Sequence, residues 1–181
     1  MIGVNGGKLS HYQYHEYKGI TAFMELIEHM DKTYPTIADR SGRVIMGSSQ
    51  GGRGTSRYIF SHPELFGTAV AMASGHQHEK RIDGNDGVES EFLTIPDCSN
   101  NAFNKARVYA ARKDAPPINL MVVIGNKDDN YVGNLQWSIH LRELGIPHEL
   151  VVVPGAGHGI NWKIENTGKH INLFIKNGLT Q

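Results

Sequence analysis

The 181-residue chain is long enough for one domain with its own hydrophobic core. Lysine plus arginine and aspartate plus glutamate number 18 each, so the formal net charge is zero. This balance excludes the basic excess of a typical nucleic-acid-binding protein, and no apolar run approaches the length of a bilayer-spanning helix. The single cysteine excludes an internal disulfide framework. Composition therefore predicts a single globular domain over residues 1–181 that binds neither nucleic acid nor membrane.

The chain alternates between helical periodicity and short apolar runs. An apolar run at residues 1–4 stops at Asn5-Gly6-Gly7, as a strand ending in a turn would, and residues 8–19 have the polar composition of a loop. The further predicted elements, in chain order, are helix 20–30, strand 44–46, helix 52–60, strand 66–73, helix 101–112, strand 118–124, helix 134–144 with Gly145 as its cap, strand 149–153 and helix 167–176. Continuous apolar strands that alternate with helices predict a mostly parallel sheet covered on both faces. In such sheets, functional sites lie outside the carboxyl ends of the strands.

The loop after strand 44–46 has the pattern G-x-S-x-G, from Gly47 to Gly51. Between a strand and a helix, this pattern is typical of a nucleophilic serine on a sharp, strained turn with small residues on both sides. The following helix directs its amino terminus at the site and favours negative charge there. We therefore predict that Ser49 is a catalytic nucleophile and that the backbone N–H of Gln50 is an oxyanion donor.

A phosphate-binding loop is a competing interpretation of the same segment, because Gly47 and Gly52 have the spacing of its two glycines. However, Arg53 and Gly54 stand where that motif requires Lys and then Ser or Thr. The phosphate-binding interpretation is therefore rejected. A glycine-rich turn without catalysis is the other alternative, and the G-x-S-x-G pattern alone does not exclude it.

Candidate acid and base residues follow the third and fourth predicted strands. Asp128 and Asp129 follow strand 118–124, where a carboxylate can accept a hydrogen bond from a histidine and fix its tautomer. Spacing does not separate these two aspartates, and a solvated turn is the alternative for both. His158 lies between glycines after strand 149–153, although loop histidines without a catalytic role are ordinary. The order serine, acid, histidine is that of α/β hydrolases, so the three placements together predict a catalytic triad.

Other residues offer weaker candidates. His76, after the second strand, and Trp162, after the histidine loop, are possible substrate-lining residues, with packing as the alternative for each. The segment His76-Gln77-His78-Glu79 contains metal-ligand side chains but has no distant partner of clear spacing, so we predict no metal site. Cys98 lacks the features of a nucleophilic cysteine and is interpreted as a buried or loop residue.

Taken with these segments, the sequence resembles the esterase family of α/β hydrolases that includes esterase D, enterochelin esterases and feruloyl or acetylxylan esterases. The resemblance runs from residue 1 to about residue 158 and is densest over residues 31–75, DKTYPTIADRSGRVIMGSSQGGRGTSRYIFSHPELFGTAVAMASG. Its cues are Asp39-Arg40 before the strand, the paired glycines after the serine turn, and HPELF at residues 62–66. The family usually has Met where Gln50 stands, which leaves the backbone donor unaffected.

The resemblance implies an α/β-hydrolase fold and hydrolysis of small-molecule or carbohydrate-linked carboxylic esters through an acyl-enzyme, without a cofactor. The family's G-x-x-D pattern implies that Asp128, rather than Asp129, is the acid. Family members also have a preceding strand that ends in a His-Gly-Gly loop and supplies the second oxyanion N–H. In the family, that strand lies between the strands matching residues 1–4 and 44–46, whereas Asn5-Gly6-Gly7 aligns with a different strand end.

We therefore expect a hydrolase domain whose amino-terminal strands are missing. Such a chain would be poorly stable and weakly active alone, because one oxyanion donor is worth about a hundredfold in rate and open strand edges expose apolar surface. The leading hypothesis is a serine carboxylesterase with Ser49, His158 and Asp128 as its triad. Two alternatives stay open: an acyltransferase that uses the same triad, and an inactive fragment or non-catalytic scaffold.

Overall fold

The computed structural model describes residue 2, residues 19–76 and residues 101–179. Its elements in chain order are α1 Gly19–Thr33, a short 3₁₀ helix Arg40–Gly42, β1 Val44–Ser48, α2 Gln50–Ser61, β2 Thr68–Met72, α3 Ala102–Ala111, β3 Asn119–Gly125, α4 Tyr131–Glu143, β4 Glu149–Val153 and α5 Ile160–Leu179. Each element predicted within these residues is present, although α5 begins seven residues before the predicted start at residue 167. The predictions for residues 1 and 3–18 lie outside the described residues.

The four described strands form one parallel sheet in the order β1-β2-β3-β4. In this register, Ser48 lies beside Met72, and Met72 lies beside Val123. The segments that follow the four strands therefore all begin at the same rim of the sheet. This rim holds the turn at Ser49 and the loops that carry Asp128 and His158.

Side chains alternate between the two faces of the sheet, and each face has its own apolar cluster. On one face, Leu120 and Val122 of β3 pack with Ile59, Trp137 and other residues of α2, α3 and α4, while α1 covers the edge of that cluster. On the other face, Met121 and its neighbours pack against α5. The predicted mostly parallel sheet with helices on both faces is confirmed.

The first strand differs from its prediction. Its apolar residues and the predicted cover on both faces of the sheet imply a buried strand, but Met46 is 41% exposed and only Ile45 in β1 is buried. The reason is that β1 is an edge strand within the described part of the sheet, with β2 as its one hydrogen-bonded neighbour there. An apolar groove of about 380 Å³ runs beside this edge and is lined by Phe23, Ile27 and Tyr58 among others.

The turn after α4 is the predicted glycine cap. Gly145 has a positive φ of 70°, which a glycine adopts without the steric cost of a Cβ. Its N–H donates to the Arg142 carbonyl at 2.9 Å, and the Ile146 N–H donates to the Leu141 carbonyl at 2.9 Å. This pattern closes the helix and turns the chain toward β4.

Among the described residues, no helix combines the length and apolar character that crossing a membrane requires.

Candidate active site

Ser49 lies on the turn between β1 and α2, in a backbone conformation that L-residues rarely adopt. Its φ is 57° and its ψ is −118°, and it is one of two non-glycine residues with positive φ among the described residues. The Ser49 N–H donates to the Met72 carbonyl at 2.9 Å, which ties the turn to the end of β2. Strain of this kind costs about 1–3 kcal/mol and persists only where the surroundings enforce it.

Two of the glycines near Ser49 are required by close packing. A Cβ on Gly47 would lie 2.3 Å from the Gly51 carbonyl oxygen, and a Cβ on Gly52 would lie 2.1 Å from Ser74 Oγ. Neither position has room for a side chain without a shift of its neighbours. These contacts explain the glycines at positions 47 and 52, whereas a Cβ on Gly51 would meet nothing within 4 Å.

Helix α2 begins directly after Ser49, with Gln50 as its first residue. The Arg53 N–H donates to the Ser49 carbonyl at 3.1 Å, so the serine is the residue that flanks the first helical turn. The N–H groups of a first turn point back along the helix axis and carry partial positive charge. The Gln50 N–H predicted as an oxyanion donor therefore belongs to the first turn of α2.

Ser49, His158 and Asp128 form a continuous series of polar contacts at the rim. Ser49 Oγ is 3.0 Å from His158 Nε2, and His158 Nδ1 is 3.1 Å from both carboxylate oxygens of Asp128. Because a carboxylate only accepts hydrogen bonds, Nδ1 carries the proton toward Asp128, and in the neutral ring Nε2 accepts from the Ser49 hydroxyl. The Asp128 side chain is fully buried, whereas half of the His158 side chain is exposed.

The two aspartates that the sequence spacing left unresolved have different surroundings. Asp128 is 5% exposed and faces His158, whereas Asp129 is exposed to solvent. The Asp128 carboxylate also accepts the backbone N–H of Asn130 at 2.9 Å. The structure therefore brings together Ser49, Asp128 and His158, which come from the ends of three different strands.

The loop carrying Asp128 and the loop carrying His158 are joined by direct contacts. Asn126 Oδ1 accepts the Gly155 N–H at 2.7 Å, and the Lys127 N–H donates to the Ala156 carbonyl at 2.9 Å. A Cβ on Gly125 would lie 2.1 Å from the same Ala156 carbonyl oxygen, so the two loops touch backbone to backbone. These contacts hold the loop of the histidine beside the loop of the carboxylate.

Of the two residues predicted as possible substrate-lining residues, the structure describes the side chain of His76 only. His76 is completely buried and stacks on the Trp137 ring, with centroids 4.6 Å apart, so its packing leaves no surface for a substrate. Trp162 belongs to α5, but its side chain lies outside the described residues, as do residues 77–79 and Cys98. Among the residues that the structure describes, no three His, Cys, Asp or Glu side chains are grouped to hold a metal ion.

Comparisons with known proteins identify relatives of this fold. A family model described as the prolyl oligopeptidase family matches residues 9–177. S-formylglutathione hydrolase (FrmB) from Staphylococcus aureus superposes with a TM-score of 0.71 at 17% identity, over 88% of this chain and 61% of that chain. A ferulic acid esterase gives a TM-score of 0.69 at 22% identity, over 91% of this chain and 62% of that one.

Peptidases are also among the structural neighbours. Dipeptidyl peptidase 4 from Porphyromonas gingivalis gives a TM-score of 0.56 at 18% identity, over 76% of this chain and 20% of that chain. No curated protein sequence matches this chain. The predicted α/β-hydrolase fold is confirmed, as is the resemblance to esterases of that fold, and the chain spans about three fifths of the length of the two hydrolases named first.

Proposed function

The chain belongs to the prolyl oligopeptidase family of serine hydrolases, and on that premise we propose that it cleaves carboxylic esters through an acyl-enzyme formed on Ser49. The observation that carries the proposal is the contact series from the Ser49 hydroxyl through the His158 ring to the Asp128 carboxylate, at 3.0 and 3.1 Å. A nucleophile within hydrogen-bond reach of a base, and a base oriented by a third group, is the arrangement that nucleophilic catalysis requires.

In the proposed reaction, His158 Nε2 takes the hydroxyl proton as Ser49 Oγ attacks the ester carbonyl. The tetrahedral intermediate collapses to an acyl-enzyme, and His158 returns the proton to the departing alcohol. Water then attacks the acyl group with the same base, which releases the acid and restores the serine. No step needs a cofactor.

Charge placement supports this sequence of steps. When His158 becomes positively charged, its Nδ1 proton faces a carboxylate that is shielded from water, so the ion pair is stronger than it would be in solvent. On the other side of Ser49, the first turn of α2 favours the negative charge that develops on the carbonyl oxygen. In this proposal the Gln50 N–H donates one hydrogen bond to that oxyanion.

Peptide hydrolysis is the second candidate, because the matching family is described as that of prolyl oligopeptidase and a dipeptidyl peptidase is among the neighbours. Ser49 can attack an amide with the same base, but the amine must be protonated before it departs and is a poorer leaving group than a phenolate. Parallel assays with p-nitrophenyl acetate and an alanyl-proline p-nitroanilide separate the two candidates. We expect turnover of the ester, and anilide turnover of equal efficiency would favour the peptidase.

The decisive experiment for the ester proposal is a rapid-mixing assay with p-nitrophenyl acetate, with Ser49→Ala as the matched control. We expect a burst of nitrophenolate before steady turnover, because an acyl-enzyme accumulates, and no burst from the variant. Product analysis with added alcohol distinguishes hydrolysis from acyl transfer. An identical slow rate for both proteins would instead support the non-catalytic scaffold.

A further inference from the structure

We propose that Asn130 is a positioning residue that fixes the Asp128 carboxylate relative to the Ser49 turn, an inference that rests on the proposed function. Asn130 lies two residues after Asp128, at the start of α4. Its backbone N–H donates to Asp128 Oδ1 at 2.9 Å, and the Tyr131 N–H donates to the Asp128 carbonyl at 2.9 Å. The Asp128 carboxylate therefore contacts the backbone N–H of Asn130, the residue that precedes α4, as well as His158.

The side chain of Asn130 reaches in the other direction, to the end of β2. Its Nδ2 donates to the Ala73 carbonyl at 2.9 Å, across 57 positions of sequence. Ala73 has a positive φ of 48°, a conformation that is uncommon for a non-glycine residue and that sets the direction of its carbonyl. The Asn130 side-chain amide therefore donates to the Ala73 carbonyl, which the local backbone conformation directs toward it.

The same end of β2 holds the serine turn from its opposite side. The Met72 carbonyl accepts the Ser49 N–H at 2.9 Å, and Gly52 is packed so closely that a Cβ would come within 2.8 Å of that carbonyl oxygen. The segment from Met72 to Ser74 thus contacts the nucleophile turn on one side and Asn130 on the other. Asn130 is the residue that connects this segment to the Asp128 carboxylate.

Asn134, one turn further along α4, reinforces this connection. Its Nδ2 donates to the Ser74 carbonyl at 2.7 Å and to the Asn130 carbonyl at 2.8 Å, and the residue is completely buried. Carbonyl oxygens only accept hydrogen bonds, so the side chain must supply a donor at both positions. Two buried amides that both join α4 to the end of β2 make the distance between Ser49 and Asp128 hard to change.

The test compares Asn130→Ala and Asn130→Ser with Ser138→Ala as a matched control. Ser138 is also buried on α4 and hydrogen-bonded, but its partner is His148, which is not part of the contact series. Asn130→Ser keeps a residue that is favoured at a helix start while it shortens the side chain, so it guards against a failure to fold. All three variants keep the backbone N–H that contacts Asp128.

We expect both Asn130 variants to lose about 10- to 100-fold in kcat per titrated active site, with KM little changed, because a small misplacement of catalytic groups has a cost of this order. The acid limb of the pH–rate profile should also move to lower pH, because a displaced carboxylate stabilises the positively charged imidazole less. Ser138→Ala should keep both kcat and the acid limb. If the Asn130 variants match Ser138→Ala in both readouts, the positioning role is wrong.

A second readout does not depend on activity. NMR of the His158 ring gives the pH midpoint of its protonation, which we expect to fall in both Asn130 variants and to stay constant in Ser138→Ala. If the parent protein fails to hydrolyse esters but this midpoint falls, the proposed function is wrong while the positioning role holds. If the parent protein is active but the midpoint does not move, the positioning role is overturned and the proposed function stands.

Discussion

Two serine–histidine pairs in this molecule have almost the same geometry but different surroundings. At the rim, Ser49 Oγ lies 3.0 Å from His158 Nε2, and Nδ1 of that ring faces the Asp128 carboxylate. Between α4 and β4, Ser138 Oγ lies 2.7 Å from His148 Nε2, and Nδ1 of this second ring is 3.0 Å from the Ile146 carbonyl. In each pair the acceptor at Nδ1 leaves Nε2 to accept the serine hydroxyl.

The difference between the pairs is in access and charge rather than in distance. Ser138 is 2% exposed within a regular helix, where no substrate can reach its hydroxyl. Ser49 is partly exposed on a strained turn, beside a half-exposed imidazole. A neutral carbonyl orients His148, whereas a buried carboxylate can also stabilise a positive charge on His158. A short contact between serine and histidine is therefore insufficient evidence for a nucleophile.

The largest expected effect comes from removing each serine hydroxyl in turn. We expect Ser49→Ala to lower ester turnover by at least about 10⁴-fold, because the nucleophile itself is lost. Ser138→Ala should keep turnover within about twofold, since that hydroxyl is buried away from substrate. Steady-state assays with p-nitrophenyl acetate measure both variants. A comparable loss from Ser138→Ala would contradict the distinction between the two pairs.

The second prediction removes the charge that sets the pairs apart. Asp128→Asn should lower kcat by about 10⁴-fold, because a neutral amide can donate to Nδ1 and hold the ring in the wrong tautomer. Asp129→Asn is the matched control, because the neighbouring carboxylate is exposed to solvent. Its activity should match that of the parent. Equal losses for the two variants would mean that the acid has been misassigned.

Sequence patterns were sufficient to predict that Ser49 and His158 lie at the same rim of the sheet, but not which contacts hold them there. Periodicity and apolar runs located the strands, and the loops after three strand ends indicated Ser49, His158 and one of two adjacent aspartates. Only the family resemblance selected Asp128 over Asp129. The roles of Asn130 and Asn134 could not be predicted, because the carbonyls they contact lie 57 and 60 positions away in the chain. The only signal for them was an asparagine-rich stretch, which is equally typical of a turn.

Burial was harder to predict than location, for a related reason. The apolar residues of β1 predicted a buried strand, but the exposure of Met46 depends on which strands lie beside β1. His76 follows a strand end, as the three rim residues do, yet it packs against Trp137. Neither outcome follows from the residue and its sequence neighbours alone, because both depend on tertiary contacts.

The third prediction tests the packing that brings His158 to Asp128. Gly125→Ala should lower kcat about tenfold or more, because the new Cβ would collide with the Ala156 carbonyl and separate the two loops. Gly157→Ala is the control in the histidine loop, since its nearest neighbour would be an ordinary 3.9 Å away. Kinetics normalised to folded protein measure the effect. Equal kcat values for both variants would show that loop spacing does not limit catalysis.

The smallest expected effects are on stability, and they should have opposite signs at the two serines. Ser49→Gly should raise the free energy of unfolding by about 1 kcal/mol, because glycine relieves the positive φ. Ser138→Ala should lower it by about 1 kcal/mol, because the partly buried ring nitrogen of His148 loses its donor. Urea unfolding followed by circular dichroism measures both. Changes of the same sign would remove this energetic contrast.

The most direct test of the account is chemical labelling of the native protein with a fluorophosphonate, followed by mass spectrometry of its peptides. A serine activated by a neighbouring base attacks the phosphorus centre, so we expect one adduct, on Ser49, and its loss in His158→Gln. Ser138 should stay unmodified in both proteins. An adduct on another serine, or a folded protein that gives none, would contradict the assignment of Ser49 and His158 as nucleophile and base.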